Sequence, residues 1–319
     1  MQKALITGGA GFIGSSLAEI LLQRGYQVRI FDNLTRNSMA AKVGLIDHPN
    51  LQMIQGDVLD FPALREACED CTLVIHCAAI AGIDSVIKSP AATLRVNLVG
   101  TANLLEAVRQ AGVATRVINF STSEIFGNRA FGATEEDNAV TGSAGEARWC
   151  YAVSKLSGEH LSLAYFKEYG VPVVTIRPFN VYGPGQVGEG ALQIFVKRAL
   201  ANQDLMVFGH GHQIRAWCYV DDFIRALGIL LEHPNAPGES FNIGNSRAVV
   251  TIYGLANTVV RVLGSSSKVI FAPARSADIE LRIPSVEKAK ELLGFEAQID
   301  LEEGIAKTGE YFRSLGVGV

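Results

Sequence analysis

Ala4-Leu-Ile-Thr7-Gly8-Gly9-Ala-Gly11-Phe12-Ile13-Gly14 is the stretch on which the fold turns. Ala4 to Thr7 reads as a short strand, Gly9-Ala-Gly11-Phe-Ile-Gly14 as a tight turn, and the pattern from Gly14 to Arg24 as a helix. A strand, a glycine turn and a helix in that order let backbone N–H groups approach a pyrophosphate, whose charge suits the helix N-terminus. Any tight strand-to-helix turn favours glycine, so the pattern needs a second feature. Asp32 provides one. It ends the next strand, Val28 to Phe31, about 20 residues on, where a carboxylate binds a ribose diol and repels an extra phosphate. The expected cofactor is NAD, with Arg36 close enough to Asp32 for NADP to be weighed.

Further strands follow at Leu51 to Gln55, Leu73 to Cys77, Arg116 to Ser121 and Val173 to Arg177. Helical patterns at Phe61 to Glu69, Pro90 to Gln110 and Tyr151 to Tyr169 separate them. Six strands alternating with helices predict an α/β fold: a doubly wound parallel sheet of the Rossmann type. From Pro178 the texture changes to Gly-rich and polar, then to helices at Ala191 to Ala201 and Tyr253 to Leu263, a strand at Lys268 to Phe271 and a terminal helical pattern through Phe312. The expected division is a dinucleotide-binding domain over 1–177 and a smaller C-terminal substrate-binding lobe over 178–319. One strand near 241–244 is expected to return to the sheet.

Composition narrows the class. With 19% charged and 48% hydrophobic residues in 319, the chain is a folded, soluble protein and needs no metal or disulfide staple. A net charge of −4 argues against nucleic acid. No apolar run reaches the roughly 18 residues of a membrane span, Leu73 to Ile83 being the densest. Met1-Gln2-Lys3 before an apolar stretch faintly resembles a secretory leader, but Gly8, Gly9, Gly11, Gly14 and Glu19 break it. Cys68, Cys71, Cys77, Cys150 and Cys218 are few and odd in number, and the one CxxC stands alone, so reduced thiols and a cytoplasmic location are expected. His210 and His212 lack a nearby acidic partner; no metal is assigned.

Tyr151-Ala-Val-Ser-Lys155 carries the chemistry. Positions i and i+4 share a helix face, and an ammonium beside a phenol favours the phenolate. Such a tyrosine can exchange a proton with an alcohol near neutral pH. Upstream, Ser121-Thr122-Ser123-Glu124-Ile-Phe-Gly127 ends a strand. If it stays extended, residues 122 and 124 point one way and 121 and 123 the other, placing a hydroxyl beside a carboxylate. Ser121 and Ser123 have turn hydrogen bonding as their alternative role. Asp57 and Val58 follow the third strand and could meet adenine, or Asp57 could cap a helix. Ala78 and Ala79 follow the fourth, either admitting the cofactor or packing a helix.

With GGAGFIG, HCAA, STSEIFG, YAVSK and RPFNVYGPG in this order, the sequence resembles the extended short-chain dehydrogenase/reductase family, in its nucleotide-sugar epimerase, dehydratase and decarboxylase branch. The resemblance implies that Tyr151 is the base, that Lys155 assists it and holds the nicotinamide ribose, and that Thr122 binds the sugar O4. It implies NAD contacts from Gly8, Gly11, Gly14 and Asp32, with Phe12, Ile13 and Asn33 counted beside them. Asp57 and Val58 would contact adenine and Pro178 the nicotinamide. Asn97 matches a helix asparagine near the site, or else a buried helix-bend residue. Substrate contacts are expected from Ser123, from Asn180 and from two phosphate-gripping arginines, Arg215 and Arg275.

The implied reaction runs through a 4-keto sugar. Glu124 discriminates among its outcomes, because simple 4-epimerases of the branch usually have small residues there. Thr122-Ser-Glu124 and Arg148-Trp149-Cys-Tyr151 are similar to UDP-glucuronate decarboxylases, which favours a UDP-sugar and decarboxylase or dehydratase chemistry. A UDP-sugar 4-epimerase is the alternative. A non-catalytic NAD-binding sensor and a dehydrogenase releasing NADH are further readings. The resemblance also implies a homodimer paired through Pro90 to Gln110 and Tyr151 to Tyr169.

Overall fold

Short β-branched runs, each closed by a glycine or polar turn, assemble into a seven-stranded sheet in the computed structural model, which describes residues 2–39, 42, 44–274 and 278–317. In chain order the first five strands are β1 (Lys3–Thr7), β2 (Gln27–Asp32), β3 (Leu51–Gln55), β4 (Leu73–His76) and β5 (Arg116–Phe120). Across the sheet the order is Ser240–Ile243, Val173–Pro178, β5, β4, β1, β2, β3, with every pair parallel. Strand order reverses between β1 and β4, which opens a crevice beyond their carboxyl ends.

All four β4 residues and all five of β5 are buried, as strands covered by helices on both faces must be. The edge strand Ser240–Ile243 pairs in parallel with Val173–Pro178. One cluster of buried apolar side chains runs from Ala4 and Ile6 through Phe223 and Phe241 to Ile305 and Phe312, so the core is continuous from N- to C-terminal regions.

Two local expectations are corrected, and one helix is added. The helix over Pro90 to Gln110 is interrupted: α-helical at Pro90–Leu94, a π-turn over Arg95–Val99, then α-helical at Gly100–Ala111. The extended course expected through Glu124 ends at Phe120. Thr122 is extended, but its hydroxyl oxygen accepts from the Glu124 amide (3.2 Å) and turns Ser123–Phe126 into one 3-10 turn. The helix Val220–Glu232, with Asp221 and Asp222 in its first turn, was not anticipated.

A second sheet matters most for the site. Its order is Val249–Thr251, Ile214–Ala216, Leu281–Pro284, Arg129–Ala133. It joins segments far apart in sequence above the carboxyl ends of the main sheet.

Candidate active site

Beyond the strand ends lie two adjoining cavities. The larger, about 510 Å³, is lined by Gly8, Gly11, Phe12, Asp32, Asn33, Asp57, Val58, Ala78 and Ala79. The first turn is shaped for a close backbone approach. Gly8 has φ of +67°, and a Cβ there would sit 2.6 Å from the Ala78 nitrogen; one on Gly14 would sit 2.5 Å from the Gly8 carbonyl oxygen. Only glycine fits both positions. Asp32 accepts from the Ala10 amide (3.0 Å) and the Leu34 amide (2.7 Å), which fixes its carboxylate on the cavity wall. Ile13 packs against the core beside this turn. Asp57 accepts from the Leu59 amide, whereas capping of the helix Phe61–Cys68 is done by Asp60. The glycine cradle and the fixed carboxylate fit a dinucleotide. Arg36, the residue that kept NADP in view, is engaged by Ser85 (2.8 Å) and Glu189 (3.6 Å).

Asn97 has the buried helix-bend placement that was its alternative reading. Within the π-turn it is 1% exposed, and its amide hydrogens go to the Ile80 carbonyl (3.0 Å) and Ser154 hydroxyl (3.1 Å), while its oxygen accepts from the Ile80 amide. It pins the loop after β4 to the helix Trp149–Tyr169. Pro178 closes its strand opposite Ile243, half-buried.

The second cavity, about 430 Å³, is lined by Glu124, Arg148, Asn180, Arg215, Asp278 and Arg282, with an apolar wall of Ile194, Phe195, Met206, Phe208 and Ile252. Asn180 has φ of +36°, and its side-chain amide donates to the Ala216 carbonyl (2.8 Å). The 3-10 turn leaves Ser123 buried, and Glu124 forms the cavity wall there. Arg275 lies outside the described residues.

Tyr151 and Lys155 share the helix Trp149–Tyr169 as their spacing predicts. Thr122 hydrogen-bonds the phenol, and Glu124 and Arg282 act on it electrostatically, so the 3-10 turn still delivers hydroxyl and carboxylate to the tyrosine. Burial, reinforced by the Glu124 carboxylate, pushes the phenol above its ordinary value. The expected lowering by Lys155 is not among the influences on the phenol. The ammonium acts instead on Cys77 and His76 at the end of β4, and burial brings it down to about 8.

Arg282 is the residue that sequence reasoning missed. It is 3% exposed, and its guanidinium lies 3.7 Å from Glu124; Arg148, 6% exposed, lies 3.8 Å from the same carboxylate. Arg215 pairs with Asp278 (3.4 Å) and donates to the Ile279 carbonyl. Burial lowers Arg282 to about 9, with Arg215 and Arg148 adding to it, and lowers Arg215 to about 10, with Arg148 adding to it. Among the described residues Arg148 Nε and Arg282 Nε and Nη2 are buried without a hydrogen-bond partner. The one available signal was an arginine inside the short apolar strand Leu281–Pro284. No group of three or more His, Cys, Asp or Glu among the described residues is placed to hold a metal.

The chain is 33% identical to a UDP-N-acetyl-alpha-D-glucosaminuronate decarboxylase of Bacillus cytotoxicus, covering 98% of each chain. It superposes on a UDP-glucose 4-epimerase of Thermotoga maritima solved with UDP-glucose (TM-score 0.90, 32% identity, 98% of this chain and 99% of the other). It also superposes on a UDP-glucuronic acid 4-epimerase of Bacillus cereus solved with UDP-glucuronic acid and NAD (TM-score 0.88, 31% identity, 98% and 100%). The profile of the NAD dependent epimerase/dehydratase family matches residues 4–244, and the chain belongs to that family of nucleotide-sugar-modifying enzymes.

Proposed function

We propose that this protein acts on a UDP-linked uronic acid and removes its C6 carboxylate as CO2 through a 4-keto sugar. The observation that carries this reading is the pair Arg148 and Arg282, both buried, both facing one carboxylate, with three N–H-bearing nitrogens unpartnered. Two guanidiniums against one Glu124 leave positive charge and orphaned donors in the cavity, and an anionic sugar substituent satisfies both. The N-terminal region, 1–177, would hold NAD and the remainder the nucleotide sugar.

The dinucleotide cavity around Gly8, Gly11 and Asp32 would hold NAD, which would supply the hydride acceptor for C4 and the donor that restores it. The Tyr151 oxygen takes the C4 hydroxyl proton, while Thr122 holds O4. With C4 a ketone, the C6 carboxylate is a β-keto acid: the C5–C6 bond breaks, CO2 leaves, and the electron pair passes to O4 as an enolate. Glu124, 20% exposed and beside the arginines, is the acid–base group that delivers to C5 the proton, drawn from solvent, that takes the place of the departed carboxylate. Lys155 holds the nicotinamide ribose and brings positive charge to Tyr151 in the loaded enzyme. Arg215 and Asn180 hold the diphosphate, and the apolar wall takes the uracil.

The test is to incubate the purified protein with UDP-glucuronate, UDP-N-acetylglucosaminuronate, UDP-glucose and UDP-N-acetylglucosamine without added NAD. Loss of CO2 from a uronate supports the reading; loss of water from a neutral sugar overturns it. The same anion site suits C4 epimerisation of a uronate, the reaction named for the Bacillus cereus neighbour. Unchanged mass with a new stereoisomer would select that alternative.

A homodimer belongs to this proposal. Val99, Val153, Leu163 and Tyr169 are exposed at 42, 39, 37 and 54% on the helical segments 95–111 and 149–169, an apolar set that a second copy would cover. Five free thiols suit the reducing cytoplasm.

A further inference from the structure

Three segments from different parts of the chain meet where the two cavities adjoin. Arg36 follows β2, Ser85 follows β4, and Glu189 lies in the loop 183–190 that leads into the helix Ala191–Leu200. Arg36 Nη2 donates to the Ser85 hydroxyl (2.8 Å) and lies 3.6 Å from Glu189. Glu189 accepts from the Asp84 amide (2.7 Å), the Ser85 amide (3.2 Å) and the Ser85 hydroxyl (2.6 Å). These bonds hold Glu189 as a carboxylate, below its ordinary range despite partial burial. Arg36 and Val187 line both cavities, so this cluster is the partition between them.

We propose that Arg36 and Glu189 form a strap across the dinucleotide cavity and are positioning residues that retain the cofactor between the two half-reactions. The proposal rests on the reading that this enzyme returns its hydride to the same substrate. The dinucleotide cavity runs from the β2 end, at Asp32 and Asn33, to the β4 end, at Ala78 and Ala79. Arg36 reaches from the first to the second, and its far end is tied down by a loop from the other cavity. The loop carries the backbone freedom such a closure needs: Gly183, Gly185 and Gly188 all have positive φ, at +150, +81 and +94°. Substrate in the neighbouring cavity touches the same loop, so a filled substrate site keeps the strap closed.

The strap is tested with the full chain by loading NADH, chasing with excess NAD and following nicotinamide fluorescence. Arg36→Met and Glu189→Gln should each release NADH about five- to tenfold faster than wild type, as loss of one charge-assisted link predicts. Arg36→Lys, which keeps the charge, should release it at close to the wild-type rate. UDP should slow release from wild type and not from Arg36→Met. Equal release rates for wild type, Arg36→Met and Glu189→Gln overturn the strap while leaving the internal-redox reading intact. Wild-type protein that binds no dinucleotide at all would instead overturn that reading. Thermal unfolding of Glu189→Gln separates the outcomes from misfolding, and Arg36→Met, at an exposed side chain, provides the second variant.

Discussion

Arg215 and Arg282 are register partners on neighbouring parallel strands, two buried guanidiniums side by side in the second sheet. Like charges on adjacent strand positions repel. The pair persists because Asp278 and the Ile279 carbonyl engage Arg215 while Glu124 faces Arg282. Such an arrangement favours binding of an anion over stability of the free protein.

Arg282→Met should therefore separate binding from folding. The kcat/KM for a UDP-uronate should fall about 30-fold or more, the loss expected when a buried charge partner is truncated. The melting temperature should stay the same or rise, because one of three crowded cations is gone. A drop in melting temperature with unchanged kcat/KM would assign Arg282 a purely structural role.

Tyr151→Phe keeps the ring and removes the proton-transferring oxygen. Turnover should fall by about 10²–10⁴, the range for a positioned acid–base group. NADH binding, measured by fluorescence, should remain. Undiminished turnover would show that another group handles the C4 proton.

Glu124→Gln should divide the reaction at its middle. Oxidation at C4 depends on Tyr151 and Thr122, so NADH absorbance should still appear on mixing with a UDP-uronate. Product should then form at least about tenfold more slowly, since proton delivery to C5 is impaired. A variant that forms product at the wild-type rate would remove Glu124 from the chemistry.

These predictions draw unequally on what the sequence discloses. Gly8, Gly14 and Asp32 are legible because a strand, a turn and a helix are local, and their spacing is set by backbone geometry alone. Tyr151 and Lys155 are legible for the same reason, one helical turn apart. Arg282 is different. It meets Glu124 only because Leu281–Pro284 pairs with Arg129–Ala133 on one side and Ile214–Ala216 on the other, and no periodicity announces that register. The course beyond Phe120 was not legible because a Thr122 hydroxyl competes with the strand for the Glu124 amide, a side-chain bond that alternation ignores.

The buried pair Arg177 and Glu159 ties the helix carrying Tyr151 to the strand ending at Pro178. Their shortest contact is 2.7 Å, and Ser240 donates to the same carboxylate. Arg177→Met should cost about 3–5 kcal/mol in urea unfolding, because it strands a buried carboxylate. The double variant Arg177→Met with Glu159→Leu should recover part of that loss. Additive losses in the double variant would show that the two side chains act independently.

His76 sets the acid side of the stability curve. It is fully buried at the end of β4, with Thr7 Oγ1 at 2.7 Å from Nδ1 and Thr101 Oγ1 at 3.1 Å from Nε2. Thr101 spends its own hydrogen on the Asn97 carbonyl (2.7 Å), so it can only accept from the ring. The proton therefore sits on Nε2, and Thr7 donates to Nδ1. A second proton would disrupt this chain and face the Lys155 ammonium; burial, with Lys155 adding to it, lowers the imidazole to about 3. The unfolded chain takes up that proton near 6.5, so between about 6.5 and 3 it binds more protons than the native state, and stability falls with pH by about 1.4 kcal/mol per unit. Lys155, lowered to about 8, adds no slope in this window because it is protonated in both states below 8. From pH 6.5 to 5 wild type should lose on the order of 2 kcal/mol through His76 alone. His76→Gln should be less stable at pH 7 yet lose correspondingly less on acidification, read from urea midpoints at the two pH values. Parallel pH slopes for the two proteins would show that the acid sensitivity arises elsewhere.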